Sequence, residues 1–146
     1  RLRRAGPAGP MIVGTSALIA ILGDEPERRA FTEALAAADA CTLSAASFVE
    51  TSIVIDARYG AEGVRALDLL LLKAEIAVAP VDADQARLAR IAFQRYGKGR
   101  HPAALNFGDC FAYALAQTYG EPLLFKGEDF SQTDLAAHPA SSKVGR

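Results

Sequence analysis

The stretch NFGDCFAYALAQTYGEPLLFKGED, residues 106–129, decides how the chain is read. Asn106 starts a helix that runs to about Tyr119, and Gly120 closes it. Pro122–Phe125 then reads as a short apolar strand, followed at once by Lys126, Gly127, Glu128 and Asp129. A helix that hands over directly to a buried strand, with acids at its start and just past the strand, is the signature of an α/β unit.

Upstream the same alternation repeats. Gly97, Gly99 and Pro102 break a long amphipathic helix that Asp82 caps, with Leu88, Ile91 and Ala92 on its inner face and arginines outside. Ile76–Val81 is a strand, preceded by a helix around Val64–Ala74 with Val64, Leu67 and Leu71 in register. Ser44 or Ser47 opens a helix through Phe48, Val49, Val54 and Ile55 that Gly60 ends. Ala40–Leu43 is a strand; a helix beginning at Pro26 puts Ala30, Phe31, Leu35 and Ala38 on one face. Met11–Val13 is the first strand, and Thr15 or Ser16 can cap a helix through Ala17–Leu22. Strands separated by helices require crossover connections, hence an α/β fold with a mainly parallel central sheet flanked by helices.

At 146 residues, 51% of them hydrophobic and 23% charged, the chain suits a single globular domain. Residues 1–10, RLRRAGPAGP, read as a disordered leader, either a cloning remnant or an upstream start, with Met11 the natural first residue. Residues 11–140 form the domain, and 141–146 read as a disordered tail. No apolar stretch reaches the roughly 20 residues needed to span a bilayer, and the first ten residues lack a secretory h-region. Cys41 and Cys110 stand far apart without CxxC spacing, which fits a reduced, cytoplasmic compartment.

Net charge is −1, but the five basic residues of the two tails leave eleven basic against seventeen acidic residues in 11–142, a net of −6. That is not the balance of a general nucleic-acid binder. One basic window stands out, with Arg87, Arg90, Arg95, Lys98, Arg100 and His101 within fifteen residues. A solvated helix face is the ordinary explanation for Arg87 and Arg90. Lys98, Arg100 and His101, nearer Asp109 in sequence, are candidates for contact with the phosphates of a nucleic acid.

Parallel sheets place sites at the carboxyl ends of their strands. Glu50 lies one turn into the helix after the second strand, Asp109 starts the helix after Asn106, and Asp129 follows the last strand. Converging carboxylates form an oxygen-only donor set that suits Mg²⁺ or Mn²⁺ rather than zinc. Divalent ions so held suit phosphodiester hydrolysis, which needs an activated water and charge stabilisation at phosphate. Each acid also has a bland explanation. Ser47–Glu50 spells a capping box, Asn106–Asp109 a capped first turn, and Gly127–Asp129 a turn. Phe107, Phe111 and Tyr113 read as packing residues, and Ile21, Leu22 and Phe31 as core.

Four segments together resemble PIN domains, and especially the bacterial VapC toxins. They are Met11–Ile19, MIVGTSALI; Ser44–Glu50, SAASFVE; Tyr96–Ala116, which contains LNFGDCFAYALA; and Pro122–Leu135, PLLFKGEDFSQTDL. The resemblance spans about Met11 to Ala137. It implies a PIN-like three-layer sandwich and a metal-dependent endoribonuclease using Mg²⁺ or Mn²⁺ on structured RNA such as tRNA or rRNA. It further implies homodimers and a VapB-like antitoxin that blocks the site and binds operator DNA with the toxin. By matching motif, Asp109 would bind metal directly, and Glu50 and Asp129 directly or through water. Thr15 and Ser16 would orient groups at the site, Asn106 would brace the Asp109 loop, and Asp134 would be a cap or turn residue. The departure is Gly14, where the family carries its first acid. The resemblance therefore implies a lost ligand and impaired activity, or a PIN scaffold that binds antitoxin or RNA without catalysis. An aspartyl-phosphate phosphotransferase on a similar sheet would need an aspartate after the first strand, and Gly14-Thr15-Ser16 supplies none.

Overall fold

A computed structural model of the chain describes residues 8–142. Four parallel strands form one sheet in the order β3-β2-β1-β4: β1 (Pro10–Val13), β2 (Ala40–Ser44), β3 (Ile76–Ala79) and β4 (Leu123–Leu124). Five helices connect them: α1 (Thr15–Leu22), α2 (Arg28–Ala37), α3 (Ala45–Lys73), α4 (Ala83–Tyr96) and α5 (Phe107–Tyr119). The alternation read from the sequence therefore holds, and so does the helix-flanked parallel sheet.

The sheet is covered on both faces because its central strand is apolar on both. In β1, Met11 and Val13 enter a core with Leu18 and Ile21 of α1, Phe31 and Leu35 of α2, and Leu67 and Leu71 of α3. Ile12, between them, points the other way into a core with Ala92 of α4 and Ala112, Tyr113 and Leu115 of α5. Ile21 and Phe31 are thus core, and Leu22 packs against it. Ile91, expected on the inner face of α4, is 40% exposed.

Local signals account for the element ends. Gly60 breaks α3 with φ 67° and ψ −157°, so residues 45–73 are two helices meeting at a kink, as the sequence led one to expect. Gly120 closes α5 in the left-handed region, φ 65°. Asp82 caps α4 by accepting the Gln85 amide at 2.8 Å. The caps expected of Thr15 or Ser16 are not made: Gly14 is the N-cap of α1, and both hydroxyls lie inside the helix facing elsewhere.

The ends of the domain differ from expectation. Pro10 pairs with Ala40, and the Gly9 carbonyl accepts the Asp39 amide at 2.8 Å, so these two leader residues belong to the sheet edge. Ser141 donates from its hydroxyl to the Leu123 carbonyl at 3.1 Å, and the Ser142 amide donates to the Phe125 carbonyl at 3.0 Å. A buried strand as short as β4 leaves backbone groups that this returning strap satisfies. The rest of the expected leader and tail, residues 1–7 and 143–146, lies outside the described residues.

Candidate functional site

Because all four strands run parallel, their carboxyl ends lie on one side of the sheet; Glu50 follows β2, Asp129 follows β4, and Asp109 opens α5. Ser44, at the end of β2, caps α3 by accepting the Ala46 amide at 3.2 Å. That removes the Ser47–Glu50 capping box: Glu50 sits in the second turn of α3 and is free to reach across to α5. A methyl group on Gly108 would fall on the Glu50 carboxylate, so Glu50 lies directly against the backbone at the start of α5. Only a residue without a side chain leaves that room. The Thr15 hydroxyl donates to Glu50 Oε1 at 2.8 Å, fixing the carboxylate from the α1 side.

Asp109 does two jobs in space. Its amide donates to Asn106 Oδ1 at 2.8 Å and its Oδ2 accepts the Asn106 amide at 3.0 Å, which completes a capping box. The bland explanation is therefore correct for this residue, yet incomplete. Burial raises the Asp109 carboxyl, and the Asn106 amide opposes this. The negative charge of Asp129, a hydrogen bond between the two side chains and the charge of Glu50 raise it further, to about 8. Two hydrogen-bonded carboxyls must share a proton, which is the sense of that shift. Asp109 thus lies within electrostatic reach of both Asp129 and Glu50.

Gly14 lies at the end of β1, directly before Thr15, whose hydroxyl binds Glu50. Its amide donates to the Leu124 carbonyl at 2.9 Å, and its φ of −88° and ψ of 157° suit any residue. A Cβ there would meet the Leu124 carbonyl oxygen at 3.1 Å, tight but open to a small shift of β4. No side chain caps α1 at this position. Ser16, two residues on, accepts the Lys126 amide at 2.9 Å and so ties α1 to the segment that carries Asp129.

Lys126 itself turns inward, with 14% of its side chain exposed, and pairs with Glu25 and, at 3.1 Å, with Glu27. The hydrogen bond to Glu25 holds its ammonium above the ordinary value despite burial. Burial alone would raise the Glu27 carboxyl, but Lys126 holds it below. This ion cluster joins the α1–α2 connection to the end of β4. Phe130, packed on Phe125 at 5.3 Å between ring centres, pins the chain just beyond Asp129.

The basic candidates lie on the connection between α4 and α5. Lys98 and Arg100 are exposed, and the Arg100 guanidinium sits 5.4 Å from the centre of the Phe93 ring. His101 is partly buried: its Nδ1 accepts the Ala103 amide at 3.0 Å and its ring meets Tyr96 edge-on at 5.0 Å. Asp134 accepts a hydrogen bond from Tyr113 at 2.5 Å and takes its place in the fold there. Tyr113 is buried, as expected of a packing residue, but Phe107 is 79% exposed, against expectation. At the first position of α5 its ring meets Phe111 in an edge-type contact, 4.9 Å between ring centres.

Sequence reasoning passed over Thr51, Gly108 and Lys126. Thr51 and Lys126 act through contacts between distant segments, and only Gly108, beside Asp109 in a quoted motif, carried a local signal.

Among the described residues, no group of three or more His, Cys, Asp or Glu side chains is gathered closely enough to hold a metal ion. The donors facing the strand ends are nevertheless of one kind. They are carboxylate oxygens that repel one another, with a hydroxyl at 2.8 Å from one of them. Burial and the charge of Asp109 push the neighbouring Cys110 thiol up to about 11, so no thiolate competes. By donor chemistry Glu50, Asp109 and Asp129 suit a hard divalent cation, though as placed they are not drawn into one coordination sphere.

Comparison with known proteins agrees with the fold. The PIN domain family matches residues 11–135. A relative named "Ribonuclease VapC" from Mycolicibacterium smegmatis is 57% identical over 127 residues, 87% of this chain and 98% of the relative. The crystal structure of Mycobacterium tuberculosis VapC20, described as a Sarcin-Ricin loop cleaving toxin, superposes with a TM-score of 0.72 at 20% identity, covering 86% of this chain and 96% of that one. VapBC2 from Rickettsia felis, bound to a DNA fragment from its promoter, superposes at 0.65 with 12% identity over 91% of this chain and 96% of that one. On the match over nearly the whole domain and the identity to a named relative, the chain belongs to the PIN-domain family, among the VapC ribonucleases.

Proposed function

We infer that this chain is a VapC-type endoribonuclease toxin whose activity depends on Mg²⁺ or Mn²⁺ and is low because Gly14 supplies no carboxylate. The observation that supports it best is the raised Asp109 carboxyl, which marks Asp109 as lying close to both Asp129 and Glu50. Asp109 and Glu50 would hold the cation directly, and Asp129 directly or through water. When bound, a divalent cation supplies positive charge against the phosphate and acidifies water.

The chain's own residues supply the geometry. Thr15 orients Glu50 by donating to one of its oxygens. The Asn106 cap fixes the rotamer of Asp109 by holding Oδ2. Ser16 and the buried Lys126 hold the segment leading to Asp129. Lys98 and Arg100, exposed on the approach to α5, would contact phosphates of a structured RNA such as tRNA or rRNA. His101, held by Ala103 and Tyr96, would contribute through Nε2 alone.

Partners follow from the same reading. A VapB-like antitoxin would neutralise the chain, as the toxin–antitoxin pairing in the Rickettsia felis VapBC2 structure suggests by analogy. A homodimer is supported by the apolar patch of Val49, Ile53 and Phe107, 53%, 64% and 79% exposed, around a cleft of about 490 Å³. Exposed apolar side chains grouped in this way mark contact surfaces. The alternative, a PIN scaffold that binds antitoxin or RNA without catalysis, is favoured by Gly14 alone. Mn²⁺ titration tests the donor set: Glu50→Gln and Asp109→Asn should each weaken binding, and binding unchanged in both would refute it.

A further inference from the structure

Thr51 is fully buried in α3, and its hydroxyl does something unusual for a threonine inside a helix. Serine and threonine hydroxyls inside a helix often donate to the carbonyl four residues back. Ser52 does so to Phe48 at 2.7 Å, and Thr118 to Ala114 at 2.8 Å. Thr51 instead donates across to Thr15 Oγ1 at 3.0 Å.

That contact bears on Glu50. The Thr15 hydroxyl has one proton and two acceptors within reach, the Ser47 carbonyl at 3.4 Å and Glu50 Oε1 at 2.8 Å. With the Thr51 proton on one lone pair of the Thr15 oxygen, the Thr15 proton is turned toward the carboxylate. Glu50 is held on its other side by the Gly108 backbone. We propose that Thr51 is a positioning residue for Glu50, acting through Thr15 as a hydroxyl relay from α3 to α1 and back to α3. The inference rests on the reading of Glu50 as a donor to a divalent cation. Thr51 touches neither cation nor substrate; it sets the direction in which a neighbour donates.

Thr51→Val replaces the hydroxyl by a methyl of similar size, and Thr51→Ser keeps the hydroxyl. Two readouts are compared in the full chain: Mn²⁺ affinity, by electron paramagnetic resonance, and the Glu50 side-chain carboxyl ¹³C resonance without metal. The relay predicts that Thr51→Val weakens Mn²⁺ binding by about tenfold, in line with residues that orient a metal ligand. It also predicts that the Glu50 resonance shifts, and that Thr51→Ser restores both. Thr51→Ala gives the same comparison if the valine disturbs packing. Unchanged affinity and resonance in Thr51→Val, with Mn²⁺ binding weakened by Glu50→Gln, would overturn the relay and leave the donor reading standing. Mn²⁺ binding indifferent to Glu50→Gln would overturn the donor reading and the relay with it.

Discussion

Gly108→Ala puts the closest contact of the acid end under direct load. The added methyl lands on the Glu50 carboxylate, so Glu50 must swing away and release the 2.8 Å bond from Thr15. A hydrogen bond to a charged group contributes about 1.5–3 kcal/mol, and half-burial of Glu50 places this one near the lower figure. Displacing a packed neighbour adds roughly 1 kcal/mol. Alanine in a helix returns up to about 1 kcal/mol relative to glycine. The net is a loss of about 1.5 kcal/mol, or a Tm lower by about 5 °C for a domain of this size. Thermal unfolding followed by circular dichroism measures it. The origin is isolated by a double-mutant cycle, because in a Glu50→Ala background the same substitution meets no carboxylate and should be neutral or slightly stabilising. If Gly108→Ala lowers Tm equally in both backgrounds, or not at all in the parent, Glu50 does not seat on α5 as described.

Other outcomes follow from the same geometry. The Asp109 carboxyl is raised from 3.8 to about 8, so between those values the folded metal-free chain keeps a proton that the unfolded chain has released. Its contribution to stability is therefore present at low pH and lost as pH rises through about 8, and Asp109→Asn should flatten the fall in Tm between about pH 5 and pH 9. Phe107→Glu or Ile53→Glu should halve the mass in sedimentation equilibrium. As surface changes, they should alter monomer stability by less than about 0.5 kcal/mol. Lys98→Ala and Arg100→Ala should each lower the slope of log affinity for RNA against log salt by about 1 if each contacts one phosphate. An unchanged slope would place RNA elsewhere.

The fold was legible because its signals are local. Asn106, Asp82, Gly60 and Gly120 mark element ends by their own hydrogen-bonding or backbone preferences, and the apolar runs of β1 and β4 identify buried strands without reference to anything distant. The acids were legible as a set because each follows a strand end or opens a helix. What stayed hidden was tertiary. Thr15 meets Glu50 across 35 residues, Thr51 meets Thr15 across 36 and Lys126 meets Glu25 across 101, and no periodicity encodes such meetings. Ser44 and Ser47 are equally good caps on paper, and only the end of β2 selects Ser44. Phe107, read as a packing residue, does pack on Phe111 but stays 79% exposed, because nothing in the sequence says whether the fold covers the first turn of α5. Gly9, Pro10, Ser141 and Ser142 were misassigned because Gly, Pro and Ser resemble tail composition even when the backbone is paired.

RNA cleavage by this chain and by its Gly14→Asp version, on total tRNA and rRNA with Mg²⁺ or Mn²⁺ and an EDTA control, tests the inferred role of position 14 most directly. Aspartate there would suit the extended backbone at the end of β1, could cap α1, and would add a carboxylate next to Thr15, which binds Glu50. The expected result is EDTA-sensitive cleavage by the Gly14→Asp chain and little by the parent. Equal metal-dependent cleavage by both would contradict it, showing that the three remaining acids suffice and that glycine at position 14 costs the site nothing.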